Sequence, residues 1–324
     1  MIDKILAPVL SLGGMGLAFG SLLAYASQKF AVEVDERVPL VIEALPGANC
    51  GGCGYAGCGA FAAAVVEGKA PVNGCPVGGA SCAANVAEIM GVTAGEEERK
   101  IARVLCQGTK DNAREKYEYY GVDDCVAASK LGGGSKGCAY GCTGLGTCVK
   151  VCPFDAIKIQ NGIAVIDEKK CTACGKCVSA CPKNIIELVP ESAATWVVCK
   201  SRDRGPEVKT HCDVGCIACK ICEKACRFDA IKVENNIAVI DYSKCVNCSQ
   251  CVVKCPKKII HGNRDMKKAY INEEACIGCT ICTKQCKFDA IEGELKNKHK
   301  IIEDKCVGCG QCVVKCPKKC IEMK

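Results

Sequence analysis

The cysteines constrain this chain more than any other feature, because 34 of its 324 residues are Cys and most of them fall in tight runs. One run is Cys276, Cys279, Cys282 and Cys286, with the spacing C-x2-C-x2-C-x3-C. Bacterial iron–sulfur proteins use this spacing, whereas zinc ribbons use separate C-x2-C pairs. Disulfide scaffolds are small secreted domains, and this chain is long. The pattern therefore predicts iron–sulfur clusters, with zinc sites and disulfides as the disfavoured alternatives.

A repeat divides the second half of the chain. Residues 152–167 recur almost unchanged as residues 226–241, and a looser copy begins at Cys286. Each copy leads into a second cysteine run that ends in Cys-Pro-Lys. In the first copy, two short apolar segments flank Asn161-Gly162, which predicts a tight β-hairpin. The sequence thus predicts an α+β chain with three tandem bacterial two-cluster ferredoxin-like modules, at residues 138–190, 191–262 (a linker plus the module) and 263–324.

The runs also predict how the thiols divide among the clusters. In two-cluster bacterial ferredoxins, the first three cysteines of a run bind one cluster and the fourth binds the other. The second and third modules follow this rule without exception. Their predicted ligand sets are Cys216, Cys219, Cys222 and Cys255; Cys226, Cys245, Cys248 and Cys251; Cys276, Cys279, Cys282 and Cys316; and Cys286, Cys306, Cys309 and Cys312.

The first module departs from the rule, because Leu145 stands where the second cysteine of its first run belongs. The nearest replacement is Cys138, and a three-iron cluster that lacks this ligand is the alternative. The second run is regular. The two sets predicted for this module are therefore Cys138, Cys142, Cys148 and Cys181, and Cys152, Cys171, Cys174 and Cys177.

A further cysteine run lies upstream, in residues 30–92. Its spacing is C-x2-C-x4-C-x16-C, and its glycines would let the backbone approach a bulky cofactor. We expect a separate one-cluster 4Fe–4S domain there, followed by a linker region at residues 93–137. Its predicted ligands are Cys50, Cys53, Cys58 and Cys75. The predicted total is about seven 4Fe–4S clusters.

Six cysteines remain outside these sets. Two precede the first module and two lie between the first and second modules, so each pair flanks the same module. These four are candidate ligands of an eighth cluster: Cys106, Cys125, Cys199 and Cys212. The alternative is that they are buried small hydrophobes, which is the role expected of Cys82 and Cys320.

Residues 1–29 predict a membrane anchor. No charged side chain occurs in residues 5–27, a stretch long enough to cross the roughly 30 Å hydrocarbon core as a helix. A cleavable signal peptide is the competing interpretation, but its apolar region is usually only about 7–15 residues long. Cluster thiolates also suit a reducing compartment. We therefore expect a single-pass transmembrane helix in the cell (inner) membrane, with the bulk of the chain on the cytoplasmic side.

The rest of the sequence indicates electron transfer without a site for organic chemistry. It has no dinucleotide-binding glycine motif after a strand and no P-loop, so neither flavin nor NAD is expected on this chain, and no catalytic residue is predicted. The three histidines are expected at the surface. The formal net charge is +7, and nucleic acid is disfavoured because recognition motifs and stacking aromatics are missing. The basic residues indicate one of two roles. They offset the negative charge of the clusters, or they form a docking surface for an acidic protein beside Lys254, Lys257, Lys258, Lys315, Lys318 and Lys319.

Over essentially its whole length the sequence resembles the B subunit of the Rnf complex, the ion-translocating ferredoxin:NAD+ oxidoreductase. The resemblance rests on the short anchor, the Cys-Gly-Gly-Cys-Gly-Tyr-Ala-Gly-Cys run at residues 50–58, and the segments 75–79, 116–121 and 141–148. It implies that electrons enter from soluble reduced ferredoxin. It also implies that they pass to other membrane subunits, which bind the flavins, reduce NAD+ and translocate Na+ or H+.

Two other functions remain open at this stage. A polyferredoxin subunit of a hydrogenase or similar oxidoreductase would share the repeated modules, but it would not require the anchor or the glycine-rich domain. A protein whose clusters are purely structural would not need low, reversible redox potentials.

Overall fold

The computed structural model describes residues 2–29, 35–95, 98–264 and 267–324. It begins with a long helix, α1 (Ile2–Lys29). From residue 12 onward nearly all side chains of α1 are exposed, including the large apolar Leu17 and Leu23. Among the described residues, no helix is both long and apolar enough to span a membrane. The predicted transmembrane helix is therefore not confirmed.

A small helical domain follows, made of α2 (Arg37–Ala44), α3 (Cys58–Val66) and α4 (Gly79–Met90). The three helices pack around a core that includes Val41, Phe61 and Val86. The ring of Phe61 also meets that of Tyr55 edge to face, with the centroids 5.7 Å apart. Cys53, Cys58 and Cys75 lie against the same core. This packing fixes the ends of the glycine-rich loop between α2 and α3.

The first module is built around two antiparallel strand pairs and two short facing helices. Asn161 and Gly162, both with positive φ, form the turn of its hairpin, as predicted. Its elements are β1 (Lys100–Val104), α5 (Cys125–Lys130), α6 (Thr147–Lys150), β2 (Ile157–Gln160), β3 (Ile163–Ile166), α7 (Lys176–Ala180) and β4 (Ile186–Pro190).

The second and third modules repeat this plan. The second consists of β5 (Trp196–Val197), α8 (Gly205–His211), α9 (Ile221–Ala225), β6 (Ile231–Glu234), β7 (Ile237–Ile240), α10 (Gln250–Lys254) and β8 (Ile260–His261). The third consists of β9 (Ala269–Ile271), α11 (Ile281–Gln285), β10 (Ile291–Glu292), β11 (Lys300–Ile301), α12 (Gln311–Lys315) and β12 (Ile321–Met323). Mixed helix and strand structure was predicted and is confirmed.

An entering strand pairs with the last strand of each module: β1 with β4, β5 with β8, and β9 with β12. Just after each entering strand, a backbone N–H donates to the carbonyl that precedes the last strand. These bonds join Leu105 to Ile185 (2.7 Å), Val198 to Ile259 (2.8 Å) and Asn272 to Cys320 (2.8 Å). The region 93–137, predicted to be a linker, thus supplies a strand that covers the edge of the first module.

Candidate iron–sulfur sites

Three of the predicted ligand sets each line one cavity. The empty volumes of these cavities are about 320, 350 and 330 Å³. Apolar side chains such as Ile271, Ile231 and Ile157 form much of the remaining walls. Such a shell limits solvent access, which tunes the potential of a bound cluster. The three sets are Cys276, Cys279, Cys282 and Cys316; Cys226, Cys245, Cys248 and Cys251; and Cys152, Cys171, Cys174 and Cys177.

The other regular sets are also brought together. The pKa of the Cys222 thiol is raised to about 11, mainly by burial and to a smaller extent by the nearby thiols of its predicted set, Cys216, Cys255 and Cys219. Cys312 behaves in the same way, with a pKa of about 12 for which burial is the largest cause. Its interacting neighbours are the predicted partners Cys309, Cys306 and Cys286. In the amino-terminal domain, burial likewise raises the pKa of Cys75, with smaller effects of Cys53 and Cys50.

The backbone of each regular run turns in the same way. The residue two after the first cysteine and the residue one after the second both have positive φ. Examples are Ala218 (53°) and Lys220 (60°) in one run and Gly308 (72°) and Gly310 (69°) in another. Non-glycine residues adopt this conformation only at a cost, so it marks sites that the surrounding structure enforces. Here it gives every regular run the same curled loop.

Backbone N–H groups point at many of the sulfurs. The amide two residues further along donates to the thiol of Cys174, Cys216, Cys245, Cys248 and Cys309. Longer-range amides also contribute: the N–H of Ala230 lies 3.4 Å from the Sγ of Cys226. Hydrogen bonds of this kind stabilise negative charge on sulfur and tune the potential of an iron–sulfur cluster. The donor sets therefore suit thiolate-ligated clusters.

The first run of the first module keeps this loop conformation although Leu145 replaces a cysteine. Gly144 and Gly146, at the two equivalent positions, both have a φ of 78°. The thiol that approaches this loop from elsewhere is Cys125. The pKa of Cys148 is raised mainly by burial and next by the Cys142 thiol. The Cys125 thiol has the third-largest effect, ahead of that of Cys181. The N–H of Cys125 also donates to the Thr147 hydroxyl across 2.7 Å.

The structure thus places Cys125 beside Cys148, whereas Cys138, the predicted fourth ligand, lies with Cys106, Cys199 and Cys212 at another cavity. The predicted eighth set changes in the same way: Cys106, Cys199 and Cys212 do meet, but their fourth neighbour is Cys138. The physical reason is that helix α5 starts at Cys125 and is held against Thr147, whereas the loop with Cys138 folds toward helix α8. Spacing in the sequence favours Cys138 only because it is nearer to the run, and spacing carries no information about such distant contacts.

The remaining two cysteines are buried, as predicted, and each lies beside a ligand set. Cys82 on α4 interacts with Cys75 and Cys58. The Sγ of Cys320 lies 3.5 Å from that of Cys316.

His299 was predicted at the surface, but it is only 1% exposed, and its Nδ1 lies 3.6 Å from the Sγ of Cys276. It fills the space beside this cysteine that a smaller residue would leave open, and the cysteine spacing carried no signal for it.

Within the described ranges, no three His, Cys, Asp or Glu side chains are placed to share one metal ion. In a 4Fe–4S cluster the four cysteines do not share one metal ion, because the cluster contains four irons.

Four family models match the chain. The model described as "Putative Fe-S cluster" matches residues 45–77. Models described as "4Fe-4S dicluster domain" match residues 140–186, 237–287 and 269–323. The match to residues 237–287 spans the end of the second module and the start of the third, as expected when runs alternate along the chain.

Three curated relatives are similar over most of the chain. The B subunit of the Na(+)-translocating ferredoxin:NAD(+) oxidoreductase complex of Acetobacterium woodii is 55% identical, covering 84% of this chain and 83% of that protein. The B subunit of the proton-translocating ferredoxin:NAD(+) oxidoreductase complex of Clostridium ljungdahlii is 47% identical, covering 81% and 94%. The B subunit of the ion-translocating oxidoreductase complex of Methanosarcina acetivorans is 43% identical, covering 80% and 99%.

Proposed function

The chain belongs to the family of B subunits of the ion-translocating ferredoxin:NAD(+) oxidoreductase (Rnf) complexes, and we propose that it relays electrons from reduced ferredoxin toward NAD+. It would do so as a subunit of the translocase, without a complete catalytic site of its own. Partner subunits would bind flavin and NAD and move the ion. Relatives this similar over most of their length favour this function over that of a polyferredoxin serving a hydrogenase.

The proposed ligands are the regular sets given above, together with Cys125 in the set of Cys142, Cys148 and Cys181. A bound 4Fe–4S cluster supplies one-electron redox chemistry, while the protein sets its potential and solvent access. In this chain, backbone amides donate to the sulfurs and apolar side chains cover them. The proposed ligand cysteines lie in or against the hydrophobic cores of the amino-terminal domain and of the three modules, so cluster binding would contribute to folding as well.

Contact between neighbouring sets is the observation that carries this proposal. Cys174 of the first module interacts with Cys50 of the amino-terminal domain, and a Cβ added at Gly52 would lie 2.8 Å from the carbonyl oxygen of Cys174. Cys248 of the second module interacts with Cys309 of the third. Within the second module, Cys251 interacts with Cys222 of the other set. Successive sets are therefore adjacent, as a chain of electron carriers requires.

The order of contacts gives the proposed chain two ends. One end is the amino-terminal domain, which follows helix α1. The other end is the set of Cys276, Cys279, Cys282 and Cys316 in the third module, because the other set of that module contains Cys309 and contacts the second module. We assign the entry of electrons to the third module and their exit to the amino-terminal domain.

Charge and exposure at the third module support docking of ferredoxin there. Lys315, Lys318 and Lys319 flank Cys316 and are exposed, and Val314 beside them is 76% exposed. An exposed apolar side chain among lysines suits an acidic partner protein. The equivalent Lys257 of the second module is engaged, since its Nζ donates to the carbonyl of Asp213 across 2.8 Å. The second module is the competing entry point. All 34 cysteines lie in the described ranges, and among them only Cys219, a predicted ligand in the second module, is exposed.

Attachment to the cell membrane through α1 completes the proposal, with the cluster-binding domains on the cytoplasmic side, where ferredoxin is found. In the described part of α1, the side chains of five large apolar residues are each more than 60% exposed: Leu12, Leu17, Phe19, Leu22 and Leu23. An exposed apolar surface of this extent marks a membrane or protein interface. The identity of the translocated ion would be set by other subunits, because relatives of this chain are named for Na+ in one case and for protons in another.

The test is a complex in which the proposed exit is removed. Cys50→Ala with Cys53→Ala should abolish NAD+ reduction by reduced ferredoxin, while ferredoxin still reduces the clusters of the three modules. Cys82→Ala is the matched control in the same domain, and it should leave both reactions unchanged. Persistent NAD+ reduction in the double variant would exclude the proposed route.

A further inference from the structure

A fourth cysteine-lined cavity lies between the first and second modules. Its empty volume is about 490 Å³, larger than that of the cavities at the regular sets. Four cysteine residues line it, and none belongs to a regular run. Cys106 follows strand β1, Cys199 follows strand β5, Cys212 ends helix α8, and Cys138 lies in the loop before the first run.

Backbone pairing holds two of these cysteines in place. The segment around Arg114 lies between two others: its N–H donates to the carbonyl of His211 (2.9 Å), and its carbonyl accepts from the N–H of Gly137 (2.7 Å). An isolated bridge also pairs Ala113 with Cys212. Cys212 and Cys138, each adjacent to one of these bonded residues, are thereby brought to the same cavity although 74 residues separate them in sequence.

The other two cysteines occupy equivalent places in successive modules. Cys106 follows Leu105 and Cys199 follows Val198, the residues that donate to the ends of the two modules. The third module has Glu273 at the equivalent position after Asn272. A cysteine is thus present after the entering strands of the first and second modules, which face each other, and is replaced in the module at the end of the chain.

Every sulfur at this cavity receives a backbone N–H. The amide of Cys142 donates to the Sγ of Cys106, and that of Cys216 donates to the Sγ of Cys199, each across 3.4 Å. The amides of Tyr140, Val214 and Ser201 donate to Cys138, Cys212 and Cys199, in each case from two residues further along the chain. This is the same pattern as at the regular sets.

Space and charge at the cavity also suit an anionic cofactor. A Cβ added at Gly108 would lie 3.2 Å from the Cβ of Ala113, and 3.6 and 3.7 Å from the sulfurs of Cys106 and Cys212, so the Gly108 backbone lies close to both sulfurs. Lys136 is 5% exposed, lines the cavity, and donates through Nζ to the carbonyl of Gly108 across 2.6 Å. The remaining charged groups at the wall are Lys200, which pairs with Glu187, together with Asp203 and His211.

We propose that Cys106, Cys138, Cys199 and Cys212 bind an eighth 4Fe–4S cluster, which connects the first module to the second. The two direct amide bonds link it to its neighbours, because Cys142 belongs to a set of the first module and Cys216 to a set of the second. In turnover the site takes one electron from the reduced set of Cys216 and passes it to the oxidised set of Cys142. No bond is made or broken in this step.

The first test is the iron and acid-labile sulfide content of the full chain, reconstituted without oxygen. We expect about 32 iron atoms for eight clusters, against about 28 for seven. The variant Cys106→Ala with Cys199→Ala should lose about four iron atoms. Its Mössbauer spectrum should keep the signals of the remaining clusters. Cys82→Ala, which also removes a buried cysteine, should lose none. Retention of the other clusters shows that the variant is folded.

A third substitution in this double variant identifies the fourth ligand. Adding Cys138→Ala should cause no further loss of iron, because it removes a ligand from a site that is already empty. Adding Cys125→Ala should alter a second cluster, so that iron falls again or a three-iron signal appears. The proposal is overturned if the double variant keeps all its iron, if the native chain binds zinc at this site in place of iron, or if the two triple variants exchange these results.

Discussion

The backbone N–H of Cys216 donates a 3.4 Å hydrogen bond to the Sγ of Cys199. The first residue belongs to a regular ligand set of the second module, and the second belongs to the cavity between modules. On the other side of that cavity, the backbone N–H of Cys142 donates to the Sγ of Cys106 in the same way. The proposed cluster between Cys106 and Cys199 would connect these two hydrogen bonds, and so join the second module to the first.

Breaking this route should divide the clusters into two groups. In the variant Cys106→Ala with Cys199→Ala, reduced ferredoxin should still bleach the clusters of the second and third modules rapidly. The clusters of the first module and the amino-terminal domain should follow at least about tenfold more slowly, because electrons must then cross a longer gap between the remaining clusters; tenfold corresponds to about 1.4 kcal/mol. Stopped-flow absorbance measures both phases. A single phase with the native amplitude would contradict a series arrangement.

The site of ferredoxin docking can be tested with two identical nonapeptides. Gln-Cys-Val-Val-Lys-Cys-Pro-Lys-Lys occurs at residues 250–258 and again at residues 311–319. Lys315→Glu with Lys319→Glu should slow association with ferredoxin by roughly tenfold at low salt, because electrostatic steering acts mainly on the association rate. The effect should fade as the Debye length shortens below about 8–10 Å.

The matched control is Lys254→Glu with Lys258→Glu, which makes the same charge change in the second module. It should slow association by much less. If the control has the larger effect, ferredoxin enters beside the exposed Cys219 instead.

Cys125 should complete the cluster of Cys142, Cys148 and Cys181. Its replacement by Ala leaves three thiolates at a site whose loop holds Leu145 in place of a ligand. We expect a three-iron cluster, detected by low-temperature electron paramagnetic resonance of the oxidised protein, or the loss of about four iron atoms. Cys320→Ala, which removes a buried thiol elsewhere, should produce neither change. An unaltered cluster in Cys125→Ala would restore Cys138 as the ligand.

Arg103 and Trp196 should contribute to the junction between the first two modules. The guanidinium carbon of Arg103 on β1 lies 3.5 Å from the ring centroid of Trp196 on β5, and its side chain is only 7% exposed beside Glu168. Arg103→Lys loses the planar stacking, which should cost about 1–2 kcal/mol. Loss of cluster absorbance in guanidinium chloride reports the change. Arg99→Lys, at an exposed ion pair with Glu191, should lower the free energy of unfolding by less than about 1 kcal/mol. Equal losses in the two variants would show that stacking on Trp196 adds no stability.

Deletion of residues 1–29 should release the chain from the membrane fraction with its iron content unchanged. Leu17→Arg should weaken membrane binding, since a charge is costly in the hydrocarbon region, by about 2.5–3.5 kcal/mol at the centre of a spanning helix. Leu17→Ala is the control and should remain with the membrane. Co-sedimentation with vesicles measures all three. If the truncated chain still binds vesicles that contain no partner subunits, α1 is not the anchor.

Local sequence was sufficient for most of the architecture. The repeated cysteine runs predicted three modules, and Asn161-Gly162 predicted the hairpin that the structure shows. Both signals are short-range: a run of cysteines three residues apart can curl around one cavity, and a turn needs only two residues with positive φ. The length and composition of such segments already restrict their conformation, so no knowledge of distant contacts was required.

Only the tertiary structure places Cys125, rather than Cys138, beside Cys148. Both lie outside the runs, and Cys138 is the nearer of the two to Cys142 in sequence, so spacing favours it. Their positions depend instead on contacts between segments far apart: Asp124 caps α5 and receives the Thr147 hydroxyl, while the backbone beside Cys138 pairs with Arg114 and so lies next to His211. The burial of His299 and the pairing of β1 with β4 have the same origin, because burial and strand pairing follow from how separate segments pack.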